Sequence, residues 1–382
     1  MSRLSPKGRW CRALGVVGLL GALVVAPAAG ATTRAAHRPI LVVTAGARAD
    51  YVLVAEGCAT LGCLVLDRVD PLSGRITRVA RPPLSPVRGS PSGDLDRLAF
   101  ASPRLGVALV GQSAATGRVY ATGDAARSWR RVPFGSGESV LQVAAGGGEL
   151  YAVLARCSTS KRIERCRDYV LAHSSGARAW TMEPVPAAVT AGPPSALSGP
   201  QLGSVAVFGS RVVVAQTSEG TATLVRTSPD AGRTWMTRRV AWPTLANVAG
   251  CSVSREGPAV LWASCPTGMQ VSFYRSGDGG RTWAAVHQGQ FMGTGGGFFV
   301  AASASTAYLD YGYPRHVLYV VRAPVLRPVR VGPLPCVSVM SETFSDVRHG
   351  AIVCTGSSGS GATARLMVSS DRGHHWRAVA IP

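Results

Sequence analysis

The sequence is poor in acidic residues and in lysine. Of its 382 residues, 20 are Asp or Glu against 40 Lys or Arg, and Lys161 is the only lysine after Lys7. Cys-x-x-Cys pairs and Cys/His clusters of zinc spacing are missing, so we expect no metal and no cofactor. A long helical period is missing too, and with 45 Gly and 25 Pro this favours one all-β unit over several α/β domains.

The first 31 residues predict a secretion signal. Arg3, Lys7, Arg9 and Arg12 precede an apolar run from Ala13 to Val25, which is too short to span a bilayer comfortably, and small residues follow. We therefore expect a signal peptide at 1–31 and one domain at 32–382. No later run has membrane-spanning length, so the mature protein should lie outside the cytoplasm without a membrane span.

The protein is predicted to stay strongly basic after the signal peptide is removed. The formal net charge falls by its four basic residues from +20 to +16. Such charge attracts polyanions such as acidic glycans, wall polymers or nucleic acid. Nearly all of it is arginine, however, which is typical of a GC-rich genome, and no basic stripe interleaved with aromatic residues appears. We therefore expect no nucleic-acid partner.

One short pattern, S/T-x-D-x-G-x-x-W, occurs four times, once with Ala126 in place of the glycine. An Asp at its third position can accept hydrogen bonds from backbone N–H groups a few residues on, and the glycine supplies a positive φ. The Trp then restarts a strand and places its ring in the core. The Asp and Trp pairs are Asp124 and Trp129, Asp230 and Trp235, Asp278 and Trp283, and Asp371 and Trp376.

The pattern resembles the Asp-box (BNR) repeat of the sialidase-type β-propellers, a superfamily that includes sortilin-like receptors and photosystem assembly factors of the Ycf48 type. The resemblance implies that the box lies on the turn between the third and fourth strands of a blade. It also implies that the four aspartates are structural rather than catalytic.

The spacing of the boxes predicts the number of repeats. The gaps of 106, 48 and 93 residues are multiples of about 50, so two boxes are missing. A decayed copy lies at 173–180, a bare hairpin is expected near 323–326, and a turn of different design near Asp70. We therefore predict an all-β, seven-bladed β-propeller with four-stranded antiparallel blades, with a six-bladed ring as the alternative.

Eight cysteines remain after the signal peptide, and sequence alone leaves their connectivity open. The repeat frame of the resemblance pairs neighbours along the chain, so we expect four disulfides; metal binding is the rival interpretation. The expected pairs are Cys58 with Cys63, Cys157 with Cys166, Cys251 with Cys265, and Cys336 with Cys354.

Three stretches are candidates for a site on the face opposite the boxes. A basic loop at 156–168 is predicted to be an anion clamp, with Lys161, Arg162 and Arg165 as ligand contacts. An aromatic stretch at 308–316 is predicted to be a carbohydrate platform, formed by Asp310, Tyr311, Tyr313 and Arg315. The connection 83–96, with Asp94 and Asp96 near its end, is a weaker candidate for a ligand site.

Catalytic residues cannot be carried over from the sialidases. The nearest match to their Arg-Ile-Pro motif is Arg38-Pro39-Ile40, in the wrong order, and sequence proximity does not make Tyr151 and Glu149 a nucleophile pair. We predict a secreted or envelope-associated monomer without catalytic residues that binds a glycan or an envelope protein. A divergent glycoside hydrolase of the exo-sialidase type is the alternative, and a role as an assembly factor or chaperone is a third.

Overall fold

The structure is a computed structural model, and all described residues belong to one compact unit, His37–Pro382. The structure describes residues 40–45, 50–55, 64–70, 72–80, 95–110, 117–160, 163–186, 201–218, 222–242, 251–267, 270–287, 299–311, 316–355 and 364–380. Within these ranges the regular structure consists of short β-strands, in agreement with the all-β prediction.

The strands form seven four-stranded sheets, numbered here in chain order. Sheet 1 contains β1 (Ile40–Ala45), β2 (Asp50–Ala55), β3 (Leu64–Val69) and β4 (Ile76–Ala80). Sheet 2 contains β5 (Leu95–Phe100), β6 (Gly106–Val110), β7 (Arg118–Thr122) and β8 (Arg130–Arg131). Sheet 3 contains β9 (Ser139–Gly146), β10 (Glu149–Ser160), β11 (Ile163–Ser174) and β12 (Thr181–Pro184). Sheet 4 contains β13 (Gln201–Phe208), β14 (Arg211–Ser218), β15 (Ala222–Ser228) and β16 (Met236–Ala241).

The remaining three sheets repeat the same plan. Sheet 5 contains β17 (Ser252–Arg255), β18 (Leu261–Thr267), β19 (Gln270–Ser276) and β20 (Ala284–His287). Sheet 6 contains β21 (Phe299–Ala301), β22 (Thr306–Tyr311), β23 (Val317–Arg322) and β24 (Pro328–Pro333). Sheet 7 contains β25 (Ser338–Phe344), β26 (Gly350–Thr355), β27 (Ala364–Ser369) and β28 (Arg377–Val379). In every sheet the strands pair antiparallel in chain order.

Neighbouring sheets contact one another through their first strands. β1 contacts β5, β5 contacts β9, β9 contacts β13, β13 contacts β17, β21 contacts β25, and β25 contacts β1. Because the strands of each sheet alternate in direction, the turns after the first and third strands lie on one face, and the turns after the second strands lie on the other.

The hydrophobic core lies between the sheets. Each described cluster combines residues of two neighbouring sheets, for example Val143 of sheet 3 with Leu109 of sheet 2. The cluster shared by sheets 7 and 1 contains Leu366, Val353 and Val69. Nearby, Nη2 of Arg377 in β28 donates to the backbone oxygen of Ser73, 2.9 Å away, in the last turn of sheet 1. The last sheet therefore packs on the first.

The four motif aspartates all sit in the turn between the third and fourth strands of their sheets. Each carboxylate accepts a hydrogen bond from the backbone N–H four residues on, as Asp278 does from Thr282 at 2.9 Å. Each also accepts from the Ser or Thr hydroxyl two residues earlier. Burial raises the pKa of Asp278, but the bonds from Thr282, Ser276 and Arg281 outweigh it and hold the pKa at about 2. We call these four turns the aspartate turns.

Three of the tryptophans that follow these turns pack between sheets, whereas Trp129 makes an edge-to-face contact with Phe100 of its own sheet, with ring centroids 6.3 Å apart. Trp235, Trp283 and Trp376 are half-buried, and each packs against the cluster that its sheet shares with the preceding one. The turn thus directs the ring towards the neighbouring sheet.

The sheets without an intact motif keep the hairpin. In sheet 3, Leu150 pairs with Ser174, which places Ser174 at the position of the motif serine. His173 of β11 pairs with Thr181 of β12, so the turn between these strands is one residue shorter than the aspartate turns. Sheet 6 turns through 323–327. In sheet 1, Asp70 accepts from the N–H of Leu72 and the hydroxyl of Ser73, each at 2.9 Å.

Candidate functional site

The hairpin of β10 and β11 extends well beyond its sheet. β9 pairs with β10 only as far as Ala155, and β12 pairs with β11 only from Val170 onward. Residues 156–160 and 163–168 continue as a two-stranded ladder up to the pair Ser160 and Ile163. We call this segment the arm. At about 3.4 Å per residue, its five paired positions span about 17 Å on the face opposite the aspartate turns.

A β-bulge separates the arm from the sheet. Leu154 pairs with Val170, but Arg156 pairs with Arg167, so two residues of β11 oppose one of β10. One of the two, Asp168, has φ 55°, a left-handed conformation that Asp tolerates better than most residues. A bulge bends its strand and increases the local twist, which sets the direction of the arm independently of the sheet.

The arm has a disulfide face and a basic face. Cys157 and Cys166 form a disulfide across the ladder and pack against the core shared by sheets 3 and 4. Arg156 and Arg167 occupy the alternate positions and are exposed, so they lie on the opposite face. Arg167 is 83% exposed and forms an ion pair with Asp168 at 3.9 Å, which such exposure makes weak.

The basic stretch at 156–168 is therefore a hairpin, not the loop expected from its sequence. Cross-strand pairing extends to Ser160 and Ile163 and leaves only Lys161 and Arg162 between the strands, and these two lie outside the described residues. Arg165 is placed on β11, opposite Ser158, as backbone only.

Two further expected disulfides are present. Cys251 bonds Cys265, and Cys336 bonds Cys354. The expected partners Cys58 and Cys63 lie outside the described residues.

The aromatic stretch places Asp310 inside the protein rather than at its surface. Asp310 is the second-last residue of β22, is 2% exposed, and its Oδ2 lies 2.6 Å from Nδ1 of His316. Tyr311 is placed as strand backbone, whereas Tyr313 and Arg315 lie outside the described residues. The predicted ligand contacts of this stretch stay predictions.

A second buried carboxylate, which sequence analysis missed, interacts electrostatically with Asp310. Glu342 of β25 is 9% exposed, and among the described residues neither of its oxygens has a hydrogen-bond partner, nor has Oδ1 of Asp310. Burial, and secondly the charge of Asp310, raise the pKa of Glu342 to about 8. Burial also raises the pKa of Asp310, against the lowering effect of its bond to His316. No local pattern links positions 310 and 342, which lie on different sheets.

The structure does bring Tyr151 and Glu149 together. The hydroxyl of Tyr151 donates to Oε2 of Glu149 at 2.6 Å and approaches the backbone oxygen of Gly209 in the next sheet at 3.3 Å. Burial, followed by the bond to Glu149, raises the pKa of Tyr151. A raised pKa is the opposite of what a phenolic nucleophile needs.

The remaining expectations concern the rest of the chain. In the stretch 83–96, residues 83–94 lie outside the described residues, and Asp96 is placed as backbone of β5. Within the described ranges, no group of three His, Cys, Asp or Glu side chains could hold a metal ion. In those same ranges no helix is both long and apolar enough to cross a bilayer.

Solved structures show which architecture these sheets make. The β-propeller domain of the Trilobed protease from Pyrococcus furiosus matches 91% of this chain and 96% of its own, at 6% identity and a TM-score of 0.55. The fold is a β-propeller. A puromycin-hydrolysing peptidase of Mycobacterium tuberculosis matches at 12% identity and a TM-score of 0.55, over 90% of this chain and 53% of its own. This propeller thus spans about half the length of that enzyme.

More remote is Ycf48 bound to D1 peptide, at 12% identity and a TM-score of 0.48, over 88% of this propeller and 94% of that chain. No protein-family model and no curated protein matches the propeller. At these identities the similarities establish the fold alone. The prediction of a β-propeller with four-stranded antiparallel blades is confirmed.

Proposed function

We propose that this chain is a non-catalytic β-propeller, secreted or associated with the cell envelope, that binds an acidic protein partner through the arm. The observation that carries the proposal is the shape and charge of the arm: a disulfide-linked hairpin that leaves its sheet at a bulge and exposes Arg156 and Arg167. Arg guanidinium groups bind carboxylates in two-point fashion, and a ladder closed by a disulfide presents them at low entropic cost.

Export is part of the proposal. We propose that residues 1–31 are a signal peptide and that residues 32–382 form one domain of the Asp-box type. Three disulfides among the described residues support an oxidising compartment, because such bonds are rare in the cytosol.

We further propose that all seven sheets form one closed, seven-bladed ring and that the protein is a monomer. The contact of β25 with β1 and the cluster shared by sheets 7 and 1 support closure. In the six-bladed alternative, one of the four-stranded sheets would lie outside the ring.

A capture experiment tests the binding function. The mature protein is used to capture envelope proteins from culture, and a glycan array is probed in parallel. We expect acidic proteins to be captured and to be lost with Arg156→Glu/Arg167→Glu. The matched control is Arg233→Glu/Arg281→Glu, which reverses two exposed arginines on aspartate turns of the opposite face. Equal capture by both double variants would contradict binding through the arm.

The alternative function, a divergent sialidase-type glycoside hydrolase, is favoured by one observation. Asp310 and Glu342 are neighbouring carboxylates, and Glu342 has a raised pKa, as an acid catalyst of this class requires. Both, however, are buried. Incubation with fluorogenic sialosides and β-glycosides should give no turnover; turnover abolished by Glu342→Gln would establish the hydrolase. A glycan on the array that is lost with Arg315→Glu would support the aromatic stretch, with Tyr311 and Tyr313, as its site.

A further inference from the structure

The backbone of the arm has hydrogen-bonding groups that point away from its own ladder. In an antiparallel pair, residues alternate between positions that bond to each other and positions whose N–H and C=O groups point outward, and the latter have the shorter Cα–Cα distance, about 4.5 Å. The Cα atoms of Cys157 and Cys166 are 4.0 Å apart, which identifies an outward-pointing pair. The next such pair along the ladder is Thr159 and Glu164.

Among the described strands, none pairs with the outer edge of β11 along this part of the arm. On the sheet proper this edge is covered by β12, which pairs with β11 from Val170 to His173 and ends at Pro184. One more bond, from the N–H of Val185 to the backbone oxygen of Tyr169, follows before Pro186. Pro186 lacks the N–H that a ladder needs, and it is the last described residue of this segment. Within the described ranges, no strand covers Glu164 or Cys166 on this side.

The charge along this edge favours an acidic occupant. Arg167 is exposed on the basic face, so a strand added beside β11 would place every second residue on the same face as this arginine. The edge of β10 offers only Arg156 on that face. A row of outward-pointing backbone groups is a template for another strand. The arginine beside the edge of β11 favours a strand that carries negative charge.

Resting on the proposed function, we propose that the partner binds by strand addition: an extended acidic segment of it pairs with the outer edge of β11 at Glu164 and Cys166. The backbone bonds supply sequence-tolerant affinity. Arg167, together with the predicted contact Arg165, supplies selection for carboxylates of the segment.

The test uses a blocked ten-residue peptide of alternating Glu and Thr. Glu164→Pro removes the outward N–H of β11 without removing a bond inside the arm, and Thr159→Pro does the same on the edge of β10. We expect Glu164→Pro to weaken peptide binding at least tenfold and Thr159→Pro to change it less than about twofold. Because Glu164→Gln removes the same negative charge, it should bind at least as well as the wild type, which assigns the loss to the backbone.

A second peptide separates strand addition from simple charge attraction. N-methylation of two adjacent central residues blocks both of its edges and leaves all carboxylates in place, so we expect at least tenfold weaker binding. Strand addition would be overturned if the methylated peptide bound the wild type fully, or if Glu164→Pro bound the unmodified peptide fully. The proposed function would still stand in that case, provided that Arg165→Glu/Arg167→Glu abolishes peptide binding. Unchanged binding by that charge-reversed variant would overturn both. Failure of the unmodified peptide to bind at millimolar concentration would also overturn strand addition.

Discussion

Glu342 illustrates how a single buried group can make stability depend on pH. Its carboxyl is buried on β25 near Asp310, and its pKa is raised to about 8. The unfolded chain releases this proton near pH 4.5, whereas the folded chain keeps it up to about pH 8. Between these values the folded state binds more protons, so its stability falls as pH rises.

We predict that Glu342→Gln removes this loss. The amide has the shape of the protonated acid and does not ionise, so the variant should match the wild type near pH 4.5 and exceed it at pH 8 by about 4 kcal/mol in free energy of unfolding. Urea unfolding at intervals from pH 4.5 to 8 measures the difference. Glu183→Gln on β12 is the control. A constant difference across this range would show that Glu342 titrates like a surface carboxylate.

At the scale of the element, the aspartate turns combine a conformational requirement with a steric one. Two consecutive residues of each turn have positive φ, such as Gly279 at 75° and Gly280 at 89°. In the turn of sheet 7 the second of them also faces the neighbouring sheet: a Cβ on Gly373 would lie 2.3 Å from Cδ2 of Leu318. By contrast, a Cβ on Gly279, the first such residue of its turn, would meet nothing within 4 Å. Glycine at position 373 is therefore favoured both by its φ and by packing, although Ala126 occupies the second position in the turn of sheet 2 at φ 64°.

This difference predicts unequal costs for the same substitution. Gly279→Ala should cost about 1 kcal/mol of stability, the ordinary penalty for positive φ. Gly373→Ala adds overpacking against Leu318 of sheet 6 and should cost about 2–4 kcal/mol. Chemical denaturation of the two variants measures both, with Ala231, which already adopts φ 58°, as the natural precedent for the smaller penalty. Equal costs would mean that the turn does not pack on the preceding sheet as described.

The elements also show what the sequence could predict. The hairpins were predictable because Asp, Gly and Trp at fixed spacing act within one turn. The strands of the arm were not, since its Arg, Ser and Thr residues lack alternating hydrophobicity; a disulfide between Cys157 and Cys166 links the two strands. The orientation of Trp283 and the meeting of Asp310 with Glu342 depend on packing between sheets, which no local pattern encodes.

At the scale of the whole molecule, the contact between the last sheet and the first decides whether the ring is closed. Leu366 of β27 is fully buried in a cluster with Val69 of β3, although the two residues lie almost 300 positions apart. Every other described cluster joins sheets that are consecutive along the chain. Closure therefore depends on this one long-range interface together with the bond from Arg377 to Ser73.

We predict that Leu366→Ala destabilises the protein by about 2–5 kcal/mol, as much as Leu150→Ala in the cluster between sheets 2 and 3, because both leave a cavity in a closed interface. A double-mutant cycle isolates the interaction between the two sheets. The losses of unfolding free energy caused by Val69→Ala and Leu366→Ala should be coupled by at least about 0.5 kcal/mol. The losses caused by Val69→Ala and Leu150→Ala, whose side chains belong to different clusters, should be additive. Denaturant unfolding gives each value. If the first pair were additive and Leu366→Ala cost less than about 1 kcal/mol, sheets 7 and 1 would not be in contact in solution, and a closed ring of all seven sheets would be wrong.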